Sequence, residues 1–170
     1  MFKLRFRRNT LVEWAGRYSK YYDDSEVIAI GREVRTQGYL KAQQFRCIAR
    51  WKTPRTQSSC LKNSEEYVNA VTGSALAASE PRFKIEALRL LDGVDWPTAS
   101  VILHFCDRAD WPIIDYRAFW SLKQNAPAGR YSFGLWQDYT EYTRTLASES
   151  AIDMRTLDRA LWTYSKEHQR

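Results

Sequence analysis

Three features of this 170-residue chain combine residue types and spacings that suit chemistry. The first is a turn, Leu91-Asp92-Gly93-Val94-Asp95, that leads into a helical pattern beginning Trp96-Pro97-Thr98-Ala99. Gly93 supplies the unusual backbone angle that a tight reversal needs. Val94 is placed to fill the gap between two helices and Asp95 to cap the second, with Pro97 in its first turn, where a missing N–H costs little. The N-terminus of such a helix exposes N–H donors that suit a phosphate. From geometry alone the same stretch reads first as a helical hairpin that only builds core. The second feature is Asp115, which follows Trp111-Pro112-Ile113-Ile114 about twenty residues after the turn. A carboxylate at a helix N-terminus is favoured in its charged form, so Asp115 is expected to be ionised at neutral pH. It reads equally as an ordinary N-cap for the helix that follows. The third is a basic cluster with one aromatic ring, Arg46, Arg50, Trp51, Lys52 and Arg55. Cations for phosphates beside a ring for stacking suit nucleic acid, although Trp51 alone reads as core.

Helices must position these residues. Residues 25–37 follow Ser25 as a cap and stop at Gly38. Residues 40–52 bring Leu40, Cys47, Ile48 and Trp51 roughly to one face. Asn63-Ser64-Glu65-Glu66 has the N-cap and N3 acid of a capping box, which opens a helix running to Ala78. Further helices are predicted over 80–91, 96–106, 116–123, 134–148 and 153–167, the last with Leu157, Leu161 and Trp162 inward. Alternating strand patterns are scarce and short. Residues 53–62 read as a loop. The expected fold class is therefore all-α.

Composition narrows the function. A chain of this length buries roughly 70% of its extended surface, enough for a core without staples. The net charge is +6, but it is unevenly spread: +8 over residues 1–60, −4 over 61–115 and +2 over 116–170. That balance makes an anionic partner plausible, nucleic acid first. The three cysteines, Cys47, Cys60 and Cys106, form no CxxC pair and suit a reducing cytoplasm. The basic start lacks the apolar run of a secretory signal, and no apolar stretch is long enough to span a membrane. With only His104, mid-helix, and His168, expected to be disordered near the terminus, neither a histidine metal site nor a Ser-His-Asp triad is expected. No P-loop or GxGxxG is present, so nucleotide hydrolysis and dinucleotide redox chemistry find no support.

The stretch Arg82–Leu122 resembles the helix–hairpin–helix DNA glycosylase superfamily, which includes endonuclease III and the alkylated-base glycosylases. The parts that carry the resemblance are Leu91-Asp92-Gly93-Val94-Asp95, Thr98-Ala99 and Pro112-Ile113-Ile114-Asp115, in that order. The chain is similar, more closely still, to an uncharacterised bacterial branch with a Pro-Ile-Ile-Asp-x-Arg-Ala segment. The resemblance implies a single compact helical domain over 1–170, with the helix–hairpin–helix at about 82–106. It implies that hairpin amides around Gly93, Val94 and Asp95, with Thr98, grip a DNA phosphate. Arg50, Lys52 and Arg55 then face the DNA, and Trp51 and Tyr116 border the base pocket. Asp115 is the catalytic carboxylate. Breaking an N-glycosidic bond builds positive charge on the sugar, and a fixed carboxylate stabilises it and orients the attacking water.

Departures from the pattern refine the expectation. Pro97 stands where bifunctional relatives carry the lysine that forms a Schiff base, so the implied enzyme is monofunctional and lacks lyase activity. The iron–sulfur cysteines of some relatives are absent, the second turn glycine is replaced by Asp95, and Trp120 replaces an arginine. The expected protein is a monomer that binds double-stranded DNA without a metal or other cofactor, away from membranes. Two alternatives stand beside it. One is a non-catalytic DNA-binding module. The other is a protein–protein adaptor, argued from the acidic Asp92 and Asp95.

Overall fold

The computed structural model describes residues 2–125 and 131–169. Among the described residues it is all-helical, with no strand. The helices are α1 (Leu11–Gly16), α2 (Ser25–Gln37), α3 (Ala42–Lys52), α4 (Gln57–Cys60), α5 (Glu65–Ala77), α6 (Pro81–Leu88), α7 (Trp96–Cys106), α8 (Tyr116–Ser121), α9 (Phe133–Glu149) and α10 (Met154–His168). No helix among them is long and apolar enough to cross a membrane. The chain divides into two compact units, one formed by Asp24–Trp111 and the other by Met1–Asp23 with Pro112–Arg170.

In the Asp24–Trp111 unit, α7 is the central element. Ala99, Val101, Ile102 and Leu103 have no exposed surface, and α2, α3 and α6 pack around the helix. Gly31 lets α2 approach closely, because a Cβ there would collide with the Phe105 carbonyl. Helix caps match the local chemistry: Ser64 Oγ accepts from the Tyr67 N–H at 3.2 Å, and the Glu80 carboxylate accepts from the Arg82 and Phe83 N–H groups. Helix α6 ends at Leu88, earlier than residues 80–91 suggest, because Leu90 and Leu91 close tight turns onto Ala87 and Leu88. The predicted loop 53–62 is mostly helical, with a 3₁₀ turn at Pro54–Thr56 running into α4. Proline at the start of that turn needs no N–H, which reconciles a breaker residue with a helical segment.

One ion pair is buried in this unit. Lys84 Nζ lies 2.7 Å from Asp107 Oδ2, and both side chains are 8% exposed. Lys84 also donates to the Leu76 carbonyl at 2.8 Å, at the C-terminal end of α5 where unpaired carbonyls favour a cation. Asp107 accepts further bonds from the Arg108 N–H and from Trp111 Nε1. A cleft of about 320 Å³ beside it is lined by Val34, Arg35, Gly38, Leu76, Ala77 and Asp107, among others. Arg35 Nε donates to the Asp107 carbonyl at 3.2 Å, so this cation too answers a helix end.

In the other unit, α10 packs against α1, α8 and α9. Trp136, Tyr139, Phe119, Leu157 and Leu161 are fully buried there. Ser132 and Asp153 cap α9 and α10 through the N–H groups of Leu135 and Thr156. The short helix α1 has no counterpart in the sequence reading, since six residues are too few for a clear apolar period. Nor is His168 disordered: it lies in α10 and stacks on Tyr164 at 4.3 Å. Trp162 is half-buried rather than fully inward.

Burial by itself would raise the Asp107 carboxyl, but the Lys84 ammonium and the N–H groups of Ala109 and Arg108 outweigh it and hold it below its ordinary value. A carboxyl depressed in the folded state contributes stability that is complete above its unfolded value and is lost as the pH falls through its folded one. The unfolding free energy is therefore expected to decline as the pH drops below about 4, and the decline should be shallower in Asp107→Asn. At neutral pH, Lys84→Met leaves a buried charge unpaired and should cost about 3–5 kcal/mol in urea unfolding.

Candidate functional site

The hairpin forms as the residue pattern requires. Gly93 has φ +83°, a left-handed angle that disfavours any side chain. A Cβ at Gly93 would lie 2.7 Å from Cys60 Sγ and 3.1 Å from the Thr56 carbonyl oxygen, so glycine is needed for space as well. Val94 is buried, and its N–H donates to the Leu91 carbonyl at 3.1 Å, closing the turn. Asp95 caps α7, with Oδ1 accepting from the Trp96 N–H at 2.8 Å. The same oxygen takes Arg89 Nε at 3.1 Å, and the Arg89 guanidinium lies over the Trp96 ring. Its negative charge is thus directed into the helix end and met by a cation. The N–H groups of Gly93 and Asp95 take no acceptor among the described residues.

Asn63 holds the turn from below. It is 4% exposed; Nδ2 donates to the Asp92 carbonyl at 3.0 Å, and Oδ1 accepts from the Asp92 N–H at 2.9 Å. Two bonds to one peptide position fix the loop in register, and they remove the Asp92 amide from any ligand. In the sequence Asn63 is only a capping-box residue. Its bond to a turn 29 positions away has no local signal.

The basic cluster belongs to the same unit. Arg55 sits in the 3₁₀ turn whose Thr56 carbonyl abuts Gly93, so its backbone lies next to the hairpin turn. Arg50 and Arg55 are exposed, and Lys52 is half-buried. Trp51 meets Phe105 edge-to-face at 5.5 Å, an interior contact that matches its core reading. Thr98 is 2% exposed, so its hydroxyl lies in the interior and only its backbone is near the helix start.

Asp115 and Tyr116 belong to the other unit. Ile113 and Ile114 are buried, and the Tyr139 hydroxyl donates to the Ile113 carbonyl at 3.0 Å, anchoring the strand-like run before α8. Asp115 is then the N-cap of α8, with Oδ1 accepting from the Arg117 N–H at 2.8 Å and its carbonyl accepting from Phe119. The carboxylate is half-buried. Burial first, then the carboxylates of Asp158 and Asp115, push the Tyr139 hydroxyl well above its ordinary value, so that ring stays neutral. Tyr116 is 48% exposed beside it.

Other groups offer less. Burial pushes the Cys47 thiol to about 11 and the Cys106 thiol to about 12, values unsuited to a nucleophile near neutrality. His104 Nδ1 donates to the Trp111 carbonyl at 2.6 Å, which satisfies that ring nitrogen within the protein. Among the described residues, no cluster of three His, Cys, Asp or Glu side chains could hold a metal ion.

Loss of the Asn63 clamp is expected to loosen the turn selectively. Asn63→Ala should cost about 1–3 kcal/mol in urea unfolding, the range for buried polar groups left unpaired, and should speed hydrogen exchange at the Asp92 amide. Gly93→Ala should be at least as damaging, through both the angle and the Cys60 contact. No protein-family model, curated protein or solved structure matches the chain.

Proposed function

We propose that the protein is a helix–hairpin–helix DNA glycosylase of the monofunctional kind, which hydrolyses the N-glycosidic bond of a flipped, damaged or modified base. The observation that carries this reading is the hairpin. Two amides without an internal acceptor, those of Gly93 and Asp95, lie in the same compact unit as Arg50, Lys52 and Arg55, with Gly93 seated against the Thr56 carbonyl next to Arg55. Amides pointing at one phosphate and cations for its neighbours make a compact site for a DNA backbone. The acidic residues of the turn do not oppose this, because Asp95 is folded into a cap and paired with Arg89.

Asp115 is the carboxylate proposed for chemistry. As the bond from C1′ to the base nitrogen weakens, positive charge grows on the sugar and a nearby ionised carboxylate stabilises it. A water oxygen then bonds to C1′ while the base leaves with the bond's electron pair. Asp115 takes the water's proton, and the departing base is protonated from solvent, giving a free base and an abasic site. Pro97 in place of an amine nucleophile leaves hydrolysis as the route, without strand cleavage. The second reading, a DNA-binding module without catalysis, is favoured by one fact: Asp115 already commits Oδ1 to the α8 amide of Arg117.

A panel of oligonucleotides carrying different damaged bases, treated with alkali after incubation, tests the two. Base release on at least one lesion is expected, and Asp115→Asn should reduce it roughly 100-fold or more while keeping the helix cap, since asparagine caps equally well. Binding to DNA with no release on any lesion would establish the module instead. Affinity should fall with salt on a log–log slope of roughly −3 if Arg50, Lys52 and Arg55 each meet a phosphate, and Arg55→Ala should flatten it by about one.

A further inference from the structure

The Met1–Asp23 and Pro112–Arg170 unit carries an aromatic–cation cluster that no described contact of the hairpin explains. Trp162 of α10 is surrounded by tyrosine rings: Tyr22 at 5.1 Å, Tyr18 at 5.5 Å and Tyr21 at 5.8 Å. The Arg117 guanidinium lies over both Tyr116, at 5.0 Å, and Trp162, at 5.6 Å. These rings are not simply core. Tyr21, Tyr22 and Tyr116 are 40%, 45% and 48% exposed.

The charges around the cluster are unequal in availability. Glu167 is taken by Arg17 at 3.0 Å and by the Tyr21 hydroxyl at 3.1 Å. Asp158 is paired with Arg155 at 2.5 Å, and Asp115 caps α8. Arg117 has no carboxylate partner among the described residues; its contacts are the two rings. A guanidinium lying over rings keeps N–H donors for an anion, while exposed tyrosine rings beside a half-buried tryptophan accept a planar ring. A ligand that satisfies both has alternating planar rings and anionic linkers.

We infer that Trp162, Tyr22, Tyr116 and Arg117 form a binding site for an unpaired nucleotide segment of DNA, with the rings stacking on bases and Arg117 on a phosphate. The inference rests on the glycosylase reading only in taking DNA as the partner. It names what the Asp115 unit would hold, a strand already unstacked, and needs neither the hairpin nor catalysis.

Titration of the full chain with a dT decamer, followed by tryptophan emission, tests it. Saturable quenching is expected, and an abasic decamer of the same backbone should bind more weakly by about five- to hundredfold, the range for lost base stacking. Trp162→Phe should remove most of the quenching, and Arg117→Ala and Tyr22→Ala should each weaken binding by at least about fivefold. Tyr22 is exposed enough that its variant tests stacking even where Trp162→Phe perturbs the unit. Equal binding of the abasic and dT decamers, or unchanged affinity in both Arg117→Ala and Tyr22→Ala, overturns the proposal. Saturable binding of the dT decamer with no base release on any lesion would leave this site standing and overturn the glycosylase reading, so the two fail separately.

Discussion

The buried pairing of Lys84 with Asp107 is the constraint on which the Asp24–Trp111 unit depends. Neither charge is tolerable alone at 8% exposure, so their union is enforced by the cost of the alternatives. Through it α6 is tied to the end of α7 and to the carbonyls that close α5. The other end of the hairpin is held by different means, the Asn63 clamp on Asp92 and the close seat of Gly93 on Cys60. A helix pair fixed at both ends presents its turn amides in one geometry. That is what a phosphate site made of backbone donors requires, since amides cannot be re-aimed by rotating a side chain.

Charge is managed locally throughout. The acidic segment over residues 61–115 is net −4, yet its carboxylates are largely engaged. Asp95 meets Arg89, Asp107 meets Lys84, and Glu80 closes the start of α6. Arg55 belongs to the 3₁₀ turn after α3, whose Thr56 carbonyl faces Gly93.

The second unit is built from aromatic contact more than from ion pairs. Phe119 stacks on Tyr139, Phe6 on Tyr164, and arginines lie over Trp14, Trp120 and Tyr18. Rings beside guanidinium groups pack well yet remain polar at one edge, so a wall made of them is stable while half exposed. That property accounts for the number of tryptophans and tyrosines in the sequence better than a fully buried core would.

The sequence by itself determined the all-α class, most helix positions and the turn. Amphipathic spacing, caps such as Ser64 and Asp95, and the glycine at position 93 are local signals that report local structure. It also singled out Asp115, because an apolar run ending in an aspartate before a helix is a cap pattern whatever the remainder of the fold. Only the tertiary structure decided the rest. The Asn63–Asp92 bonds and the Lys84–Asp107 pair join residues 29 and 23 positions apart, and nothing in either local context requires the partner. The helix at 57–60 was hidden by serines and a preceding proline that read as a loop, and α1 by its brevity. Trp162 illustrates the limit most clearly. Helical spacing placed it on the inward face, but whether its ring is sealed or half open depends on tyrosines some 140 residues earlier in the chain, which spacing along α10 cannot register.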